Sequence, residues 1–227
     1  NNPSILFKLK SCVRCHLGHV ELNDIIYQFL DRKKLINITL LREPLERVVS
    51  YYDHIRSRHR HILHDEVKKM SIENFIESDL VNDVNNGQAL RLLGLLKQKN
   101  HIKDGRDNSE LYNDAKKILT ECFSIIGTTN QFDHFVINCQ ILLNWSDIYY
   151  QKLNQSTLKT PKLEIRDDVV DKIYKLNEVD LQLFNFVTGL NETRADELGV
   201  DDDVIIEFRK KNQIFNELTS CRYGSGM

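Results

Sequence analysis

"LINITLLREPLERVVSYY" (35–52) decides how this chain folds. Residues 35–41 are apolar and β-branched almost throughout, the composition of a strand buried on both faces in a parallel sheet. Arg42-Glu43-Pro44 follows, and Pro44 sits where a first helical turn tolerates proline. "LERVVSYYDHIRSR" (45–58) then has helical spacing. Strand, tight loop and helix make the local grammar of a phosphate-binding α/β unit. The strand delivers Arg42 to the carboxyl edge of the sheet, where open α/β folds bind ligands. The helix would present free N–H groups and a positive dipole end. Arg42 offers a fork of donors for phosphate oxygens, and Ser50 adds a hydroxyl. In the bland alternative, Arg42 ends the strand in a salt bridge with Glu43 or Glu46.

The flanking sequence repeats the grammar. "SILFKL" (4–9) suits a strand, and "VELNDIIYQFLDRKK" (20–34) carries Ile25, Ile26, Phe29 and Leu30 at helical spacing. "SIENFIES" (71–78) opens a helix with Ser71 and Asn74 as a weak capping box. "NNGQALRLLGLLKQ" (85–98) and "SELYNDAKKILTE" (109–121) read as helices. "CFSIIGTT" (122–129) is a second buried strand, followed by the amphipathic "QFDHFVINCQILLNW" (131–145). After a polar stretch (151–168), "DDVVDKIYKLNEVDLQLFNFVTGL" (167–190) reads as one long helix and "DDDVIIEFRKKNQIFNEL" (201–218) as the last. Strands alternating with helices predict a single α/β domain over 1–227 with a helical C-terminal part.

Composition sets bounds. The chain has 227 residues, 41% hydrophobic and 28% charged, with net charge −2. That suits one good-sized core and argues against nonspecific nucleic-acid binding, which needs a broad basic surface. No apolar run approaches the ~20 residues of a membrane span, and no signal peptide opens the chain. Five cysteines, an odd number, do not make a disulfide framework.

The spacing R-[DE]-P-x-x-R-x-x-S-x-Y after a buried strand resembles the 3′-phosphate-binding segment of sulfotransferases that use 3′-phosphoadenosine 5′-phosphosulfate. It looks most like the carbohydrate branch that includes heparan sulfate 2-O-sulfotransferases and their bacterial relatives. The resemblance implies that Arg42 and Ser50 grip the 3′-phosphate, with Arg47 and Tyr52 mainly structural. "FSIIGTTNQFDHFVINCQILLNW" (123–145) is similar to the family's strand, Gly-x-Thr turn and helix, and "NEVDLQLFNF" (177–186) to its late helix with Asn, Asp and an aromatic. "NNGQALRLLG" (85–94) resembles an N-x-Q-x-R-x-L-x-G segment, but Leu90 stands where the arginine is expected and Arg91 follows it. Lys159 and Thr160 fall where the family has a basic loop over the nucleotide. The implied fold is P-loop-NTPase-like, with a central parallel sheet flanked by helices.

"SCVRCHLGHV" (11–20) spells C-x-x-C-H, a haem-attachment pattern with many false positives. Zinc through Cys12, Cys15, His16 and His19 would crowd four ligands into eight residues, whereas structural zinc sites draw pairs from separated elements. In the sulfotransferase reading Gly18-His19 matches the family's Gly-His pair, so His19 is the expected general base, with His16 assisting or substituting. Neutral imidazole suits the removal of a hydroxyl proton near pH 7. No metal is required.

One family part has no counterpart in this sequence: the P-K-x-G-x-[ST]-type loop that cradles the 5′-phosphosulfate. The chain is therefore expected to start at about the family's second strand, as a fragment or a divergent member, and to turn over poorly by itself. A non-catalytic binding or scaffold module with the same fold is the alternative. "RSRHRHILH" (56–64) reads either as a solvated helix end or as a contact surface in which Arg56, Arg58 and Arg60 pair with an anionic polysaccharide. His59, His61 and His64 lack the i, i+4 pairing of a metal site. Four N-x-[ST] sequons, at Asn37, Asn144, Asn154 and Asn191, permit a secretory setting, and compartment stays open between bacterial cytoplasm and Golgi lumen. Acceptor identity and oligomeric state are not legible.

Overall fold

The computed structural model describes residues 36–78, 80–96, 107–146, 148–151, 160–161 and 164–223, with side chains through Thr219. The expected strand at 4–9, the helix at 20–34, and Cys12, Cys15, His16, His19, Asn154 and Lys159 lie outside the described residues.

The described residues are mostly helical around one parallel strand pair. β1 (Ile38–Leu41) leads into α1 (Pro44–Ser57). The short α2 (His64–Val67), α3 (Ile72–Glu77) and α4 (Gly87–Leu92) follow. α5 (Asn108–Cys122) leads to β2 (Ile125–Thr128) and α6 (Phe132–Leu143). The chain ends with α7 (Asp167–Leu176), α8 (Glu178–Leu198) and α9 (Asp202–Tyr223). β1 pairs β2 in parallel, with Ile38 opposite Ile125 and Leu41 opposite Thr128. Both strands therefore end on the same edge, and each is followed by a helix, α1 or α6.

The pleat sends alternate residues to opposite faces. Ile38, Leu40 and Ile125 pack with Phe135, Val136, Ile205 and Phe208 of α6 and α9. Leu41 and Ile126 face Leu119, Leu183 and Val187 of α5 and α8. Helices thus pack on both faces of this two-stranded parallel sheet, the coarse part of the expected α/β layering, in a structure that is otherwise mostly helical among the described residues. A third cluster joins Val48, Tyr52 and Ile55 of α1 to Phe75 of α3 and Ile173 of α7.

Three expectations are corrected. β1 was expected to be buried on both faces, yet Ile38, Thr39 and Leu40 are only half-buried and Leu41 alone is buried. The helix expected over 85–98 spans only Gly87–Leu92. It ends just before Gly94, whose φ of 69° is left-handed. The single long helix expected over 167–190 is two helices broken at Asn177. The Asn177 side chain causes the break by bonding backbone instead of leaving the helix regular. Its Nδ2 donates to the carbonyls of Val84 (2.8 Å) and Ile173 (2.9 Å).

Candidate functional site

The carboxyl edge of the strand pair is the candidate site. Arg42 leaves β1 there with its backbone held at both poles by one side chain. Its N–H donates to Gln88 Oε1 (2.8 Å) and its carbonyl accepts from Gln88 Nε2 (2.9 Å). The guanidinium itself is lightly engaged, with Nε 3.8 Å from Glu46 Oε2 and the side chain 41% exposed. A pair that open is worth about 0–1 kcal/mol, so a phosphate could displace it at little cost. The bland expectation of an Arg42–Glu46 salt bridge is thus present in loose form.

Ser50 is half-buried on α1, and its hydroxyl has no hydrogen bond among the described residues. Residues four apart are neighbours on a helix surface. Glu46 lies one turn before Ser50 on α1 and 3.8 Å from the Arg42 Nε, so a phosphate held by Arg42 and Ser50 together would compete with Glu46 for Arg42.

The open N–H groups expected at the start of α1 are already occupied. Glu43 caps the helix through its own carboxylate, accepting from Leu45 N–H (3.1 Å) and Glu46 N–H (2.8 Å). The Glu43 carbonyl takes the Arg47 N–H at 2.9 Å. What the edge offers an anion is side-chain chemistry from Arg42 and Ser50, not helix-terminal amides. Tyr174, raised first by burial and then by Glu43 and Glu46, stays a neutral phenol beside these carboxylates.

Behind the edge lies a buried polar network that assembles Arg47, Asp83, Asn86, Gln88, Asn177 and Asp180. Arg47 donates from NH1 to the Asp83 carbonyl (2.6 Å) and from NH2 to Asn177 Oδ1 (2.8 Å). Asp180, fully buried, stands 3.5 Å from Arg47. Burial pushes the Asp180 carboxyl up, opposed by Arg47 and by backbone N–H donors from Gln88 and Ala89. Arg91, one residue past the position where the resemblance expects an arginine, ion-pairs Asp83 at 2.6 Å and so belongs to this framework. Arg47 and Tyr52, expected to be mainly structural, both engage protein groups, Tyr52 donating to the Met70 carbonyl at 2.6 Å.

Thr160 is tied to α1. Its N–H and hydroxyl both donate to the buried Asp53 carboxylate, at 2.9 and 2.6 Å. Its hydroxyl proton is therefore committed to Asp53. At the far end of α1, Arg58 and Arg60 are exposed and make no ion pair among the described residues. Arg56 instead lies over the Tyr52 ring, 4.9 Å from its centroid. The histidines there pair with each other. His64 Nδ1 is 3.1 Å from the Ile55 carbonyl, which leaves Nε2 as the acceptor for His59 Nδ1 at 3.0 Å. Burial pushes the His54 imidazole down, assisted by Arg58 and His61.

Among the sequons, Asn144 is exposed at a left-handed φ of 53°, Asn191 is buried, and Asn37 donates to the Cys122 carbonyl. No group of three or more metal-ligating side chains occurs among the described residues. No helix among them is long and apolar enough to cross a membrane.

The Gln88 clamp and the Asn86–Asp180 network escaped sequence reasoning as functional elements. The Asn86-Gly87 dipeptide is a turn signal, but no spacing rule links Gln88 to Arg42 or Asn86 to Asp180. Comparisons with family models, curated proteins and solved structures gave no match for this chain.

Proposed function

We propose that the chain is a carbohydrate-type sulfotransferase domain with a P-loop-NTPase-like sheet. In this reading it moves a sulfuryl group from 3′-phosphoadenosine 5′-phosphosulfate to a sugar hydroxyl. The observation that supports the reading is Arg42, carried by a parallel strand to the carboxyl edge of the sheet, backbone-clamped by Gln88, with Glu46 at 3.8 Å as the one loose ion-pair partner of its guanidinium among the described residues. Two further stretches that carry the resemblance, 85–94 and 177–186, meet in the network behind that edge.

Arg42 would release Glu46 and donate two N–H bonds to the 3′-phosphate, with the Ser50 hydroxyl adding a third. The acceptor hydroxyl oxygen attacks sulfur as the bond from sulfur to the bridging oxygen breaks. The leaving group is 3′,5′-adenosine bisphosphate, and the hydroxyl proton passes to His19, with His16 assisting. Lys159 and Thr160 would flank the nucleotide. Arg58 and Arg60, which make no ion pair among the described residues, would meet an anionic stretch of polysaccharide, with Arg56 held back over Tyr52.

The test is differential stabilisation: 3′,5′-adenosine bisphosphate should raise the melting temperature and 5′-adenosine monophosphate should not. Equal shifts, or none, would remove the 3′-phosphate assignment. The second reading, a non-catalytic binding module, is favoured by one observation: Glu43 already occupies the α1 amides that an anion would use.

A further inference from the structure

A polar groove opens at the same sheet edge, on the β2 side. It encloses about 600 Å³ between Thr129, Asn130 and Phe132 on one wall and Tyr150, Gln151 and Arg209 on the other. It continues along α9 past Asn212 and Gln213. Thr129 follows Thr128, which is paired with Leu41, the residue before Arg42. Paired strands lie about 4.8 Å apart, so the groove begins next to the place where Arg42 leaves the sheet.

The chemistry of the groove is neutral. Asp133 at its base accepts from Arg209 Nε (2.7 Å) and from the Tyr150 hydroxyl (2.8 Å), so the one carboxylate and the one guanidinium cancel. Burial and the neighbouring Asp133 push Tyr150 up to about 12, so it stays a donor fixed on Asp133. The wall is rigid. Asn212 Oδ1 accepts the Tyr150 N–H (2.8 Å), and Asn216 Nδ2 donates to the Tyr150 carbonyl (3.2 Å). Phe132 meets the Tyr150 ring edge-on at 4.6 Å. Asn130 Oδ1 accepts from the Thr129 hydroxyl (3.3 Å) and Gln213 Nε2 donates to Glu217 (2.9 Å), so among the described residues the Asn130 amide donors and the Gln213 Oε1 acceptor are what the groove offers to neighbouring hydroxyls. Phe132 and Tyr150 add apolar surface to an otherwise polar wall, and a concave site of this kind suits a ligand with hydroxyls and an apolar ring face.

We propose that this groove binds the acceptor, and that its ligand is an uncharged, hydroxyl-rich saccharide. Placing it as the acceptor site rests on the sulfotransferase reading; its saccharide chemistry does not. Anionic sugar units belong instead to the Arg58–Arg60 surface, so a mixed polysaccharide would be gripped at two separate places.

The experiment is amide chemical-shift mapping on the full chain with two probes, neutral chitotetraose and anionic tetragalacturonate. Chitotetraose should move amides at 129–133, 150–151 and 209–213, with affinity reduced at least about fivefold in Asn130→Ala/Gln213→Ala. Both residues are exposed, so the double variant should keep its fold, read from an unchanged spectrum elsewhere. Unmoved groove amides, unchanged affinity in the double variant, or tighter groove binding of tetragalacturonate would each overturn the proposal. Titration with 3′,5′-adenosine bisphosphate on the same samples separates the two claims. Nucleotide bound without sugar overturns the groove alone. Sugar in the groove without nucleotide binding overturns the sulfuryl-donor reading and leaves a saccharide site.

Discussion

Asn86 and Asp180 cap each other's helices. Asn86, the N-cap residue of α4, accepts on Oδ1 from Val179 N–H (3.0 Å) and Asp180 N–H (3.2 Å) at the start of α8. Asp180 accepts from Gln88 N–H (3.0 Å) and Ala89 N–H (2.8 Å) at the start of α4. Each helix leaves its own first donors to the other's side chain, so α4 and α8 are locked in register. Because α4 carries Gln88, this lock also sets where Arg42 sits.

Asn86→Ala and Asn86→Gly should separate the two tasks of this residue. Asn86 has φ 45°, a conformation open to glycine and costly for alanine. Removing the cap leaves buried N–H groups unpaired, at about 1–3 kcal/mol. Asn86→Gly should show that loss alone in urea unfolding, and Asn86→Ala should add about 1 kcal/mol of backbone strain. Equal losses for both would show that the left-handed conformation is not required.

Gly87→Ala should also destabilise. A Cβ there would clash with Asp83 Oδ1 and lie 2.8 Å from Arg47 NH1, inside the half-buried Arg47–Asp83 ion pair. The side chains must shift, for a cost of about 1–3 kcal/mol by denaturant unfolding. A neutral substitution would mean that the Arg47–Asp83 pair yields freely.

Asp180→Asn gives a pH-dependent signature. The folded carboxyl is raised above its ordinary 3.8, so the folded state holds this proton to higher pH than the unfolded state does. Wild-type stability from this group is therefore largest below that value and falls as pH rises through the folded pKa. Asparagine does not titrate and accepts well for only one of the two N–H groups, a deficit of about 1–3 kcal/mol. The stability gap between wild type and variant should narrow as pH rises above about 4 and through the raised folded pKa. A gap that widens would mean that Arg47 outweighs burial.

In the proposed reading, Gln88 would act on the phosphate through Arg42, whose backbone it holds, as a positioning residue. Gln88→Ala should weaken binding of 3′,5′-adenosine bisphosphate by about 3–10-fold, the worth of losing one ordering contact. In a double-mutant cycle, Arg42→Ala/Gln88→Ala should bind no worse than Arg42→Ala alone. Additive losses would show that Gln88 supports the fold but does not aim Arg42.

The strand-helix units were readable because local chemistry decides them. Pro44 opens α1, and Ser71 caps α3 as expected, accepting from Asn74 N–H at 3.2 Å. Apolar runs mark both strands. The Asn177 break was hidden because asparagine at a helical position has no signature until its partners, Val84 and Ile173, are in place. Glu43 misled for a related reason. In the sequence it was part of a phosphate-binding spacing, while in the fold its carboxylate closes the amides that such spacing would offer. The groove at Thr129 draws on α9, some eighty residues away in sequence, and no periodicity connects them.

Calorimetric titration of 3′,5′-adenosine bisphosphate into the wild-type chain and into Arg42→Ala bears most directly on the central claim. Charge-assisted bonds to a phosphate are worth about 1.5–3 kcal/mol, so Arg42→Ala should lose roughly 10–100-fold in affinity. Absence of binding to wild type, or the same affinity in Arg42→Ala, would contradict the account.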